Sequence, residues 1–342
     1  MPVDRAPDQP AERILTASRP VLTLRLSVAM CTCDGARHVG EQLDSIAAQT
    51  RPPDELVVFD DASVDQTASV IGRFAARAQF PVRLTVNRER LGSTRNFQNA
   101  VEAGEGEIIV LTDQDDVWRP DKLERLEAAF AATPAACIFS DAEIVDEHLR
   151  PLGYRLWEAL RLDDRQQRLM AAGSAIDILL QRNVVTGATM AFRSGLRPLL
   201  VPIPPGWVHD GWIALLAAAV GGCMPLDEPL VLYRQHPSQQ IGGAKATFRQ
   251  QVATASRMDR AFFASLAENY AAARARLASS RTHRCPRAVI EDLDAKVTHS
   301  TRRARMRDGR RRRLSLILGE LLSRRYWRYS GGWKSVAQDL FL

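Results

Sequence analysis

Between residues 26 and 140 the chain alternates two hydrophobic rhythms. Short, mostly apolar runs at residues 26–31, 55–59, 82–86, 108–111 and 137–140 read as strands, the 108–111 run as one buried on both faces. Between them, apolar residues recur every three or four positions, as at Val39, Leu43 and Ile46 and at Val70, Ile71 and Phe74. That spacing predicts helices packed by one face. The breaks fall between the runs. Pro52-Pro53 interrupts the chain, Ser63 is expected to cap the second helix, and Asn87 to Gly92 turns into a helix carrying Arg95 and Asn96. Pro120 is expected to start a helix that runs to about Ala132. Strand and helix alternate five times with short connections, which predicts an α/β unit around a mainly parallel sheet.

Past residue 150 the pattern loosens. Tyr154 to Gln167 reads as a loop or lid, and Ser174 to Leu180 as a short helix. Asn183 to Phe192 reads as a turn and strand in which Gly187 allows a ligand close to the backbone. A Pro-rich stretch, residues 201–205, leads to Gly206-Trp207-Val208-His209-Asp210-Gly211-Trp212 and an apolar helix. Strands follow near Met224 and from Pro229 to His236. Residues 1–24 are rich in Pro and charge and are expected to be disordered. From Ala244 the composition shifts to Ala, Arg and Gln at helical spacing, with Phe262, Phe263, Leu266 and Tyr270 on one face. Three regions are thus expected: a tail over 1–24, a body over 25–243 with halves meeting at 145/146, and a helical extension over 244–342.

Charge is divided unequally among them. Residues 301–342 hold 12 Lys or Arg against 3 Asp or Glu, a net of +9, whereas the whole chain carries +6. Residues 1–300 are therefore acidic at −3, which argues against a nucleic-acid-binding body. In the extension, Arg302 to Arg313 precede Leu314, Leu316, Leu318, Leu321 and Leu322, then Tyr326, Trp327 and Tyr329. Arginines beside such a stripe suit a helix lying on an anionic membrane, a solvated charge run, or a helix docked on the body. The five cysteines form neither a C-x-x-C pair nor a zinc-spaced cluster, as expected of small core residues in a reducing cytosol. Residues 1–24 lack the apolar core of a signal peptide, and the apolar stretch from Trp212 is too short to span a bilayer.

The densest chemistry closes the fourth run, at Thr112-Asp113-Gln114-Asp115-Asp116. Ligands bind beyond the carboxyl ends of parallel strands. Three acids crowded there repel one another, and Mg²⁺ or Mn²⁺ shared with a substrate phosphate would compensate. The plainer alternative is an acidic turn capping the next helix. Asp60 and Asp61 end the second run, so a parallel sheet would bring them to the same edge, either to a ligand or as another acidic turn. Arg95 suits a diphosphate or open solvent. Asp210 stands where a helix begins and could serve as a general base or as an N-cap. His209 and Trp212 beside it either shape a pocket or pack.

These pieces, in order, resemble a known family. Residues 27–32, Val57-Val58-Phe59-Asp60-Asp61-Ala62-Ser63-Val64-Asp65, Asn87 to Gly92 and Thr112 to Trp118 look like the nucleotide-binding half of family 2 glycosyltransferases, which have the GT-A fold. His209-Asp210-Gly211-Trp212 and Leu232-Tyr233-Arg234-Gln235-His236 look like the second half of its rhamnosyltransferase-like members, although a bulkier residue is expected at Gly211. The resemblance spans residues 26–243. It implies a Rossmann-like, mainly parallel sheet with flanking helices, and inverting transfer of a sugar from a nucleoside diphosphate sugar, dTDP-L-rhamnose or a UDP-sugar. The acceptor would be a saccharide or a lipid-linked molecule of surface polysaccharide assembly, met in the cytoplasm or at the inner face of its membrane. By position it assigns Thr32, Asp34, Asp60, Asp61, Arg95 and Asp113 to the donor nucleotide. Asp113, Asp115 and His236 go to the metal, Asp210 to the base, and His209, Trp212 and Gly187 to the acceptor pocket. Two other readings keep the fold: a sugar nucleotidyltransferase, disfavoured because no Gly-rich basic loop follows the first strand, and a degenerate glycan-binding or scaffold protein.

Overall fold

The computed structural model describes residues 23–236, 258–308 and 310–341. Residues 1–22 of the expected disordered tail and the expected 243/244 boundary lie outside the described residues. The strands are β1 Leu26–Thr32, β2 Glu55–Asp60, β3 Val82–Val86, β4 Ile108–Thr112, β5 Val117–Trp118, β6 Cys137–Val145, β7 Pro151–Arg155, β8 Met190–Arg193 and β9 Cys223–Arg234. They form one sheet in the order β3-β2-β1-β4-β8-β6-β9-β5, with β7 added beside β6.

The first four strands run parallel. Their register sets Thr32 opposite Asp60 and Met30 opposite Thr112, so the residues that follow all emerge on one edge. Beyond β4 the sheet is mixed: β8 is antiparallel to both β4 and β6, while β9 is parallel to β6. Side chains alternate between faces. Val28, Met30 and Val110 pack with Val39, Leu43, Ile71, Leu123 and Leu126 on one side. Ala29, Cys31, Ile109 and Leu111 pack with Phe97 and the helix His209–Val220 on the other. That helix is apolar on nearly every side because it is buried on nearly every side.

Several local expectations change. Ser63 does not cap a helix: its hydroxyl bonds Asp60, and the helix begins at Thr67. The helix after Pro120 begins at Lys122, with Asp121 at the cap position. Residues 154–167 are not a loop. They finish β7 and form the helix Leu156–Leu160 and the start of a second helix, Asp164–Leu169. Buried Asp141 fixes this turn by accepting from the Trp157 backbone at 3.0 Å. The two expected late strands are one twelve-residue strand, β9.

The extension docks on the body. The helix Arg260–Ser279, capped by Asp259, buries Phe263 and Tyr270, while Phe262 stays exposed. Trp207 Nε1 donates to the Asn269 carbonyl, and Arg276 donates to the carbonyls of Leu199 and Pro202. Much of the basic run is spent internally. Buried Asp339 accepts from Arg303, Arg307 and Tyr326. Buried Glu320 accepts from His299, Arg302 and Arg325. Tyr326 and Tyr329 are core residues, not an interfacial belt. Among the described residues no helix is long and apolar enough to cross a membrane.

Burial pushes the Glu320 carboxyl up, but its hydrogen bond to His299 and the nearby cations more than reverse this, so the net shift is below 4.5. The charged form is therefore stabilised by folding. Its contribution is complete above the unfolded value and is lost as pH falls through the folded one. Glu320→Gln should destabilise the protein at neutral pH, and the gap to wild type should close as pH falls below about 4. Urea unfolding across this range checks it; a gap that did not change with pH would refute the assignment.

Candidate active site

The shared C-terminal edge of β1, β2 and β4 opens into a cleft of about 550 Å³. The first turn enters it with Asp34 in the left-handed region at φ 48°. Gln114 holds that turn, accepting from the Cys33 backbone N–H at 2.8 Å and donating to its carbonyl at 3.0 Å. A Cβ at Gly35 would lie 2.1 Å from Gln114 Oε1, so the clamp needs a glycine there. The amide between two aspartates thus ties the β4 loop to the β1 loop.

Asp60 and Asp61 divide their roles. Asp60 is fully buried beneath the cleft, where it accepts from the Thr32 hydroxyl at 2.7 Å and from the Ser63 backbone and hydroxyl. It stands one hydrogen bond behind the wall and is a correction to its placement at the nucleotide. Asp61 does line the cleft, and its oxygens accept from Asn87 Nδ2 and from the backbone of Leu91 and Gly92. It moors the 87–92 turn, and that mooring brings Arg90 into the cleft beside Asp34. The Asp34 carboxyl is held down first by the Val64 N–H and then by Arg90. Arg95, by contrast, points to solvent outside the cleft. Arg90 is the cation that periodicity missed, because the helical register says nothing about the turn before it.

Opposite lies the acidic cluster. Asp113 and Asp115 line the cleft, and Asp115 Oδ2 is 2.9 Å from His236 Nε2. The Asp113 carboxyl is pushed up to about 7, first by burial and then by Asp115 and Asp210, with Lys122 pulling it down. Asp116 is buried beneath, where it accepts from the Arg234 N–H at 3.0 Å and leaves Oδ2 without a partner. Burial and its two acidic neighbours raise it well above the ordinary range. Two buried cations face this floor. Lys122 Nζ donates to the Ala188 carbonyl, and burial draws it down to about 7. Arg234 spans the Asp115 carbonyl, the Glu147 carbonyl and the Glu41 carboxylate. Among the described residues no three His, Cys, Asp or Glu side chains converge on one point. Asp115 and His236 are paired, and Asp113 stands in the same cleft without completing a ready-made triad.

The third wall is the start of the helix His209–Val220. Val208 occupies its cap position, so Asp210 lies in the first turn. Its carboxylate accepts from the Gly211 N–H of the same turn, and from Asn183 Nδ2 at 3.2 Å and the Gly187 N–H at 3.3 Å. His209 is buried and stacks on Phe97 with ring centroids 4.0 Å apart. Among the described residues neither of its ring nitrogens has a partner, and burial lowers its pKa. Gly187 makes room for it, since a Cβ there would meet His209 Nε2 at 2.7 Å. Trp212 is not in the cleft: it is fully buried, and its Nε1 donates to the Leu200 carbonyl. Thr32, Asp34, Asp61, Asp113, Asp115, Gly187, His209, Asp210 and His236 therefore meet in one cleft, while Asp60, Arg95 and Trp212 stand outside it.

Comparison with known proteins bears on the family and the fold. Residues 27–182 match the family described as Glycosyl transferase family 2. An uncharacterized glycosyltransferase of Nostoc is 25% identical over 67% of this chain and 70% of its own length. The match takes in 59% of the length of an uncharacterized Mycobacterium bovis protein, 28% identical to this chain. Staphylococcus aureus TarS 1-349, solved in complex with UDP-GlcNAc, superposes with a TM-score of 0.55 at 16% identity, covering 81% of this chain and 72% of that one. The mannosyltransferase PcManGT of Pyrobaculum calidifontis, solved with GDP-Man and Mn²⁺, gives 0.51 at 19% identity, covering 95% and 87%.

Removing one negative charge should relax the cluster. In Asp115→Asn the Asp113 pKa should fall from about 7 toward its ordinary value, without reaching it because burial persists. Carboxyl ¹³C NMR titration reads this directly; an unmoved Asp113 resonance would contradict the electrostatic account.

Proposed function

The chain belongs to glycosyl transferase family 2, and from that premise we propose that it moves a sugar from a nucleoside diphosphate sugar to an acceptor alcohol in a single displacement that inverts the anomeric carbon. The observation that carries this reading is one cleft with Asp115 on one wall and Asp210 on another. A leaving diphosphate and an incoming hydroxyl must lie on opposite sides of the reacting carbon, and no protein nucleophile is needed.

Asp210 is the general base. Asn183 and the Gly187 N–H hold its carboxylate in place, so it takes the proton from the acceptor hydroxyl as the new glycosidic bond forms. The donor's nucleotide lies along Thr32, Asp34 and Asp61, and Arg90, not Arg95, is the cation within reach of it. Buried His209 remains neutral and backs the cleft by stacking on Phe97. The donor set suits Mg²⁺ or Mn²⁺: one carboxylate and one imidazole already paired, a second carboxylate carrying a raised pKa for want of a counter-charge, and positions left for water and phosphate oxygens. Bound by Asp115 and His236 with Asp113 alongside, such a cation would neutralise charge on the departing diphosphate. The donor nucleobase and sugar are dTDP-rhamnose or a UDP-sugar in this reading, and the product serves surface polysaccharide assembly.

Asp210→Asn should lower transfer about 10²–10⁴-fold and leave nucleotide affinity unchanged. Nucleotide release from a donor panel with Mn²⁺ reads the first, and calorimetry with UDP or dTDP reads the second. Normal turnover in Asp210→Asn would sink the base assignment. Chelation should remove both turnover and the metal-dependent rise in Tm on adding nucleotide.

The extension gives this site an address. Leu314, Leu318 and Leu322 follow one another at four-residue spacing on the helix Arg310–Leu322, and they are 64%, 56% and 78% exposed. Trp333 and Phe341 are also exposed, and the residues before Leu314 are four arginines. The proposed surface is an anionic bilayer, which takes both the hydrocarbon and the charge. Changing all three leucines to Asp should abolish sedimentation with phosphatidylglycerol vesicles and leave Tm unchanged. Undiminished vesicle binding by that variant would remove the membrane from the proposal.

A further inference from the structure

A second cavity adjoins the cleft at the base. It holds about 390 Å³ and shares Thr186, Val208, Asp210 and Tyr233 with the nucleotide side. Its own walls are Leu156, Leu160, Val184, Val185 and Trp207. The polar groups there are largely committed to the protein. Asn183 Nδ2 donates to the Val185 carbonyl and to Asp210, and its Oδ1 accepts from the Val185 N–H. Trp207 Nε1 is spent on the Asn269 carbonyl, which leaves the ring itself as wall. A sugar hydroxylated on every side would lose hydrogen bonds to water here and recover few.

Gly211 keeps this cavity open. A Cβ at that position would lie 3.4 Å from Asn183 Nδ2 and 3.6 Å from Trp207 Cζ3, so a methyl group fits and a longer side chain would fill the space. Glycine in a helix costs roughly 1 kcal/mol relative to alanine, yet the first turn of this apolar helix carries one where it borders the cavity.

Resting on the assignment of Asp210 as base, we propose that this cavity receives a hydrocarbon group of the acceptor, so that the accepted alcohol bears an alkyl or aryl group close to its reacting hydroxyl. The geometry requires closeness because Asp210 belongs to both cavities. A hydroxyl placed at its carboxylate leaves the rest of the acceptor only the apolar side, since the other side belongs to the donor. Val208, 41% exposed at the helix cap position, forms the lip between the two.

The test compares octyl β-D-glucopyranoside, below its micellar concentration, with methyl β-D-glucopyranoside, by calorimetry and saturation-transfer NMR on the full chain. The octyl compound should bind at least about tenfold tighter, from burial of its chain. Val208→Asp puts a carboxylate at the lip and is itself a good helix cap, so the fold should survive it. Gly211→Leu fills the cavity, and Gly211→Ala should not. Both Val208→Asp and Gly211→Leu should erase the octyl preference, and Gly211→Ala should keep it. Leu318→Asp, on the exposed stripe far along the sequence, should also keep it. Equal binding of the two glucosides overturns the proposal. So does a preference that survives Val208→Asp and Gly211→Leu, or one that disappears in Leu318→Asp. UDP and dTDP binding is measured in parallel. An octyl preference erased by the cavity variants in a protein that binds no nucleotide would uphold the cavity and reject the transferase reading.

Discussion

Crowded negative charge at the end of β4 is the constraint to which the rest of the site answers. Asp113, Asp115 and Asp116 follow one another within four positions, and bulk water cannot screen them all. The protein answers from below with buried Lys122 and the Arg234 backbone N–H, and from the side with His236. The answer is incomplete. Asp113 and Asp116 still carry raised pKa values, and one Asp116 oxygen has no partner. A site that stores uncompensated charge in this way binds a cation and a phosphate more readily than it would if its acids were already neutralised.

Order around that charge comes from hydrogen bonds made by residues whose neighbours draw more notice. Gln114 clamps the first turn, Asp60 stiffens the turn after β2, and Asp61 moors the turn that delivers Arg90. None of these carboxylates or amides is idle, and removing any one would release a cleft wall. The same economy holds in the extension, where Asp339 and Glu320 each collect several cations that would otherwise repel one another. Leaving such buried partners unpaired costs about 3–5 kcal/mol. Several arginines of the basic run therefore act as internal fasteners, while the leucine stripe stays exposed.

The two cavities on either side of Asp210 give the enzyme a division of labour. One is polar and charged and suits a nucleotide and its diphosphate. The other is hydrocarbon and suits a substituent that water holds poorly. Asp210 borders both because the helix His209–Val220 begins there, with its cap position left to Val208.

Much of this was legible along the chain. Short apolar runs located β1 to β4, and acids at two run ends located the rim, because parallel strands must present their ends together. Asp210 and His236, singled out along the chain, both line the cleft. Position in sequence could not separate Asp60 from Asp61, since adjacent side chains on a strand end point to opposite sides and only the packed sheet decides which side is solvent. It could not choose Arg90 over Arg95, because the mooring that places Arg90 comes from Asp61, some thirty residues earlier. Nor could it show that Arg302, Arg303, Arg307, Arg325 and Arg328 are already paired, or that Gly211 opens a cavity. Local pattern determines which segments become strands and helices, since that depends on neighbours three or four residues away. Which carboxylate faces the cleft, which cation is spent and where space remains are set by contacts between distant segments, and these exist only once the chain has folded.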